Sequence, residues 1–379
     1  MSNKKETASC PMKKTSIGGQ ALLEGIMMRG PKKSAMAVRK PDGEMVVEVT
    51  DLKSADRKSF LKWPVVRGVV GFVDSMTVGY QAMMRSAELS GLDEALEEEE
   101  REKAAKKAAK EQAKKAKKLG ITVEELAEKE AAEAPAEEPA SEAKEEVNEE
   151  AKEEKKDNSG MMTGIMVVAL VLGLGLAMLL FKVLPESIYE LLTWAIPSLE
   201  GEGYWFNLVR AAVTGVVKIA IMVGYMAAVS LMKDIKRTFM YHGAEHKTIF
   251  CYEQGLELTV ENVRRQSRFH PRCGTSFLIL MLLVSIVINM FIPSTLVDHK
   301  ILNIIARTGI GLLTLPFIMG IGYELIRFAG RHDNLFTRII SAPGVWLQHI
   351  TTKEPDDSMI ECAIAAVKEV IPEDGSDNW

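Results

Sequence analysis

The sequence predicts a mainly α integral membrane protein with four transmembrane helices, a small N-terminal β-hairpin unit and cytoplasmic helical elements. Three observations carry that prediction. Four predominantly apolar runs, 161–181, 211–232, 276–293 and 301–323, reach the roughly 17–25 residues that a bilayer span requires. Lysine and arginine are distributed unevenly between the segments that join them. Near the start, residues 34–50 alternate in β-prone side chains around a Pro41-Asp42-Gly43-Glu44 turn.

Along the chain, residues 1–14 are expected to be a flexible N-terminus. They are polar and lack the continuous apolar stretch of a secretory signal, so none is expected. Residues 15–90 hold the hairpin unit. It is preceded by a stretch dense in glycine (Gly18, Gly19, Gly25, Gly30) whose backbone can approach another surface closely, but whose spacing matches no phosphate-binding loop. The rest of this segment, from Phe60 to Leu89, is apolar yet interrupted by Lys62, Pro64, Arg67, Asp74 and Arg85. It suits an interfacial or re-entrant helix better than a span.

Residues 91–160 carry 23 acidic and 14 basic side chains, so this tract is more negative than the chain as a whole, whose net charge is -5. Glu, Lys and Ala dominate it with few large apolar residues, the composition of a solvated helix followed by a disordered tether. Such a tract could engage a protein partner. Blocks mixing both signs do not form a nucleic-acid platform, and no nucleic acid is expected.

Transmembrane helices 1 and 2 are assigned to 161–232 and helices 3 and 4 to 276–323. Lys218 and Arg307 are charges within spans, and Pro316 removes a hydrogen bond from the last one. The intervening segment 233–275 is rich in lysine and arginine, as is the start of 324–379, whereas 182–210 and 294–300 are not. The positive-inside rule then places both termini and 233–275 in the cytoplasm, in an inner membrane. Arg264, Arg265 and Arg268, on a short helix capped by Thr259, are expected to meet anionic lipid head groups. A homo-oligomer is compatible with all of this.

The chemistry concentrates in 242–273. Three of the six histidines and two of the four cysteines fall there. On a helix, His242 and His246 share a face one turn apart with Glu245 beside them. The order H-x-x-E-H is the inverted form of a zinc-protease signature, in which two imidazoles hold Zn2+ and the glutamate acts as general base. A third ligand is needed. Glu324 could supply it from beyond the last span, as could Glu253 or Glu257, or the pair His270 and Cys273. The last is preferred, since His-x-x-Cys is a chelating spacing that favours zinc. A hydrogen-bonded structural network is the competing reading.

The stretches IGGQALLEGIMMRGP, YHGAEHKTIFCYE, LTVEN, HPRCGTSF and ITTKEPDDSMIECAIAAVKEV closely resemble the bacterial YqhQ-like family, over about 15–90 and 160–372. The family is multi-pass, classed as a domain of unknown function and labelled a predicted metal-dependent enzyme. The resemblance implies metal binding at His242, Glu245, His246, His270 and Cys273 and brings no reaction with it. The last of these stretches contains an amphipathic helix with Ile360, Ala363, Ile364, Val367 and Val370 on its packed face. Three functions fit: a metal-dependent hydrolase with a cytoplasm-facing site, a non-catalytic scaffold or regulatory assembly factor, and a transporter or channel. The last has little polar lining to support it beyond Lys218 and Arg307.

Overall fold

The computed structural model describes residues 13–52, 59–91, 168–199, 201, 203–332 and 334–378. All but Gly91 of the charged tether read at 91–160 lies outside them, as do the first residues of the first span and most of the N-terminal segment read as flexible.

The predicted turn is present. Glycine 43 takes φ +88°, and strands β3 (Lys33–Arg39) and β4 (Met45–Asp51) pair antiparallel from Arg39 opposite Met45 to Lys33 opposite Asp51. The hairpin unit is larger than expected, however. The glycine-dense stretch forms two further strands, β1 (Gly18–Leu22) and β2 (Gly25–Arg29), joined by a two-residue turn in which Glu24 has φ +50°. The result is a four-stranded antiparallel meander in the order β1-β2-β3-β4.

Successive side chains on a strand point to opposite faces, and here both faces are covered. Ile26, Met28, Ala35 and Ala37 join one core, with Tyr241, Ala244, Ile360, Ala363 and Val367. Leu22, Met27, Met36 and Val38 join a second, beneath Val78, Ala82 and Met83. The helix over this second face is α1 (Val66–Leu89). Its start packs elsewhere: a β-carbon on Gly68 would stand 2.8 Å from the Cβ of Tyr323, and Arg67 makes a two-pronged ion pair with Glu324, at 2.6 and 2.5 Å.

Among the described residues, three helices are long and apolar enough to cross a membrane. These are α2 (Val168–Ala195), which includes a π-helical turn at Leu179–Val183, α3 (Tyr204–Val229), and all but the first two residues of α7 (Lys300–Arg331). The latter continues through Pro316. The expected third span is α6 (Gly274–Met290), apolar but only 17 residues long. That length is about 25 Å of helix, short of the roughly 30 Å hydrocarbon core.

Helix α3 does not run on into the histidine segment. A break at Ser230–Met232 separates it from α4 (Lys233–Glu253), which lies against the sheet. Next come α5 (Val260–Arg264), with Thr259 accepting from the Asn262 amide, and α8 (Leu335–Thr351), closed at its start by an Asn334–Thr337 capping box. Last is α9 (Asp357–Val370), whose N-cap is Asp356. All five residues of the packed face read for α9 are buried, each worth on the order of 1–3 kcal/mol for the larger side chains.

The two ends of the described chain meet. Thr15 bridges to Asn378, and the buried Asp377 accepts from the Thr15 hydroxyl (2.7 Å), the Lys13 ammonium (2.9 Å) and the Tyr252 hydroxyl (2.9 Å).

Candidate metal centre

Helix α4 brings His242 and His246 onto one face, their rings edge to face with centroids 4.4 Å apart. Gly243, which weakens helix propensity, belongs here because the chain after α8 crosses the helix at that point. A β-carbon on Gly243 would stand 2.0 Å from the carbonyl oxygen of Lys353. Cys273 comes from the N-cap of α6, where its sulfur also accepts from the Thr275 amide. His242, His246 and Cys273 are all buried and offer ligand atoms within 4.8 Å of one another.

The hydrogen bonds determine which ring nitrogens are available. Nδ1 of His242 lies 2.9 Å from the carbonyl oxygen of Thr351, and Nδ1 of His246 lies 2.6 Å from that of Arg268. A carbonyl only accepts, so both Nδ1 atoms must carry the proton and donate. Both Nε2 atoms then turn towards the thiol side: that of His242 is 3.0 Å from Cys273 Sγ, and that of His246 is buried and, among the described residues, has no hydrogen-bond partner beyond its approach to the same thiol. Orientation of a histidine ligand through Nδ1–H to a backbone carbonyl is the usual support of a metal site.

Electrostatics reinforce the pairing. Burial alone would push the Cys273 thiol up, but the neighbouring His242 and His246 outweigh it and hold the thiol well below its ordinary value. Burial likewise opposes charge on His242, yet the adjacent Cys273 and Glu245 raise it. Glu245 is 4% exposed, and burial pushes its carboxyl up against the pull of both histidines. The Gly19 backbone in β1 lies close enough to lower the pKa of Glu245 slightly, so the sheet edge rests directly on this side chain.

The remaining nominated residues are placed elsewhere. His270 is close, its ring centroid 5.7 Å from that of His246, but both its nitrogens are engaged. Nε2 donates to Glu253 (3.4 Å), and Nδ1 accepts from the Arg272 amide (3.3 Å). Its backbone is gripped by the side-chain amide of Gln348, which is buried and makes two 2.7 Å hydrogen bonds to it. Glu253 is buried in an ion pair with Arg272 and accepts from the Thr15 amide, and Glu324 is held by Arg67. Glu257 contributes its backbone carbonyl to Asn262. Arg264 and Arg265 pair with Asp357 and Glu261, and Arg268 donates to the Thr352 carbonyl at 3.0 Å.

Nothing in local spacing marks Gly19, Thr351 or Gln348 as parts of this region. All but Gln348 do lie within the stretches that carry the family resemblance, which was the available signal.

No solved structure matches the chain. It is 30% identical over 358 residues, covering 94% of its own length and 92% of the other's, to a Bacillus subtilis (strain 168) protein described as "Uncharacterized protein YqhQ". The family model described as "Protein of unknown function (DUF1385)" matches residues 63–373 and so takes in α1 and the whole His242, His246 and Cys273 cluster. The chain is a member of that family.

Proposed function

We propose that this is a multi-pass inner-membrane protein that binds one zinc ion through His242, His246 and Cys273 at a cytoplasm-facing site, and that it is a metal-dependent hydrolase with Glu245 as general base. One observation carries the reading. Both imidazoles donate Nδ1–H to backbone carbonyls and leave Nε2 directed at one depressed-pKa thiol, with the Nε2 of His246 otherwise unpartnered. A buried nitrogen without a partner is costly in a structure that satisfies nearly all such groups, and a thiolate with two imidazoles is a zinc donor set. Zinc there would polarise a carbonyl and acidify a water. Glu245, raised by burial, holds a proton more readily than an exposed carboxylate, as a general base must once it has taken one.

The 3.0 Å contact between His242 Nε2 and Cys273 Sγ supports a second reading, a cysteine nucleophile activated by its histidine. Elemental analysis of the detergent-purified full chain, prepared with zinc and without chelator, separates the two. About one ion per chain in wild type and under a third of that in His246→Ala supports the zinc site. A metal-free wild type whose Cys273 is rapidly alkylated at neutral pH supports the nucleophile and ends the zinc reading.

The same reading includes a fourth crossing, by α6. Helix α4, which precedes α6, and helix α9, which follows α7, share one core. The chain between them must therefore cross the membrane an even number of times, and α7 cannot cross alone. Local thinning of the bilayer accommodates a helix of this length. Arg264 and Arg265 have side chains 55% and 70% exposed despite their ion pairs, and so can still reach anionic head groups.

A further inference from the structure

We propose that the protein holds a small inorganic anion of the halide class in a second site, at the end of the helix bundle away from the histidines. Glu186 of α2, Arg210 and Lys218 of α3 and Arg307 of α7 converge there on a cavity of about 20 Å³, with Asn207 and Asn289 in its wall. Cys273 precedes α6 and Asn289 lies sixteen residues further along, so the two sites are separated by about 24 Å of helix.

The charges in this cavity do not balance. Three cations face one carboxylate. Arg210 takes one oxygen of Glu186 with two N–H groups, at 2.9 and 2.6 Å, and Arg307 reaches the other only at 3.5 Å. Lys218 has no hydrogen bond or ion pair among the described residues. Asn207 already accepts the Ser294 amide on its Oδ1 at 2.9 Å, leaving only its N–H groups to offer. Asn289 spends its amide N–H on the Ser285 carbonyl at 2.8 Å and so keeps an acceptor, but the charged groups left under-used, Lys218 and Arg307, are donors.

Uncompensated charge between apolar helices is expensive, and ionisable side chains in such places face one another or a bound ion. An anion touching Lys218, Arg307 and Asn207 would halve the excess of two positive charges. The cavity limits its size. There is room for about one water-sized occupant, which suits a halide and is too small for a phosphate group or a carboxylate-bearing metabolite.

The test uses the full chain in detergent, exchanged into sodium gluconate and titrated with sodium bromide at constant ionic strength. Thermal unfolding is followed by tryptophan fluorescence. Ligand that binds the folded state alone raises the midpoint saturably, and wild type is expected to gain a few degrees. Lys218→Met should lose that gain. Asn207→Asp keeps the acceptor for Ser294 and places a carboxylate in the cavity; it should unfold higher than wild type in gluconate and gain under a third as much from bromide. If Lys218→Met does not fold, Asn207→Asp decides alone. Identical wild-type midpoints in gluconate and bromide would overturn the proposal, as would a full bromide shift in Asn207→Asp.

Discussion

Gly19 lies against Glu245 with no space for a side chain between them. A β-carbon on Gly19 would stand 2.9 Å from the glutamate's Cδ and 2.8 Å from the carbonyl oxygen of Met27. Gly19→Ala must therefore push β1 off the helix or turn Glu245 away, and overpacking of this kind costs about 1–3 kcal/mol. Gly18→Ala has nothing within 4 Å and should stay within about 0.5 kcal/mol of wild type. Chemical denaturation of both variants compares them directly.

Metal content should sort the nominated residues. His242→Ala and Cys273→Ala are expected to lose most of the bound zinc. His270→Ala and Glu324→Gln should keep it, because these side chains are committed to Glu253 and Arg67. Glu245→Gln should also keep the metal and lose any hydrolytic activity. Retention of metal by Cys273→Ala would mean that another residue completes the site.

The terminal clamp should be acid-sensitive. Burial would raise the Asp377 carboxyl, but hydrogen bonds from Thr15, Lys13 and Tyr252 hold it below its ordinary value. A carboxylate depressed in the folded state contributes stability above its unfolded pKa of about 3.9, and that contribution is lost as pH falls through the folded value. The stability gap between wild type and Asp377→Asn should be widest near pH 6 and close progressively below pH 4. A gap independent of pH, by denaturant titration across that range, would remove Asp377 as the cause.

Cysteines introduced one at a time test the topology with an impermeant thiol reagent on intact cells. Ser198→Cys and Asp298→Cys should label from outside, whereas Gln254→Cys and Glu369→Cys should label only after lysis. All four positions are exposed on the protein. Protection of Asp298→Cys would show that α6 does not cross.

The candidate site was legible where it depended on local periodicity and obscure where it depended on distant backbone. The four-residue spacing of His242 and His246 required only that α4 be helical. Cys273 could be nominated from its proximity in sequence, but so could His270, and spacing alone does not show that one turns to the imidazoles and the other to Glu253. The acceptors that orient the ring of His242 and grip the backbone of His270 lie 109 and 78 residues away from them. The pairing of Glu324 with Arg67 spans 257 residues. Strands β1 and β2 were missed because glycine disfavours strands in general, while here Gly19 is needed for close packing. The third apolar run reached the length threshold in sequence only by including residues beyond Met290, where the helix ends. Lys218 and Arg307 stood out as charges within spans; Glu186 and Arg210, which make them a cluster, fall in the segment 182–210 that entered the reading only through its overall charge.

The seam between the first and last described residues has a bearing on how the protein is made. Helix α4 is covered by β1 from one end of the chain and by α9 from the other, and those ends are fastened to each other through Asp377. During synthesis, His242 and His246 emerge with half their surroundings still unmade. Gly19 is available early, but the Thr351 carbonyl that orients His242 and the whole of α9 follow only after α6 and α7 have left the ribosome. The histidines and Cys273 therefore cannot take up their final arrangement until residue 351 has been made, after all the apolar helices. A chain stalled or truncated before residue 351 would present loose imidazoles and a thiol instead of a preorganised pocket.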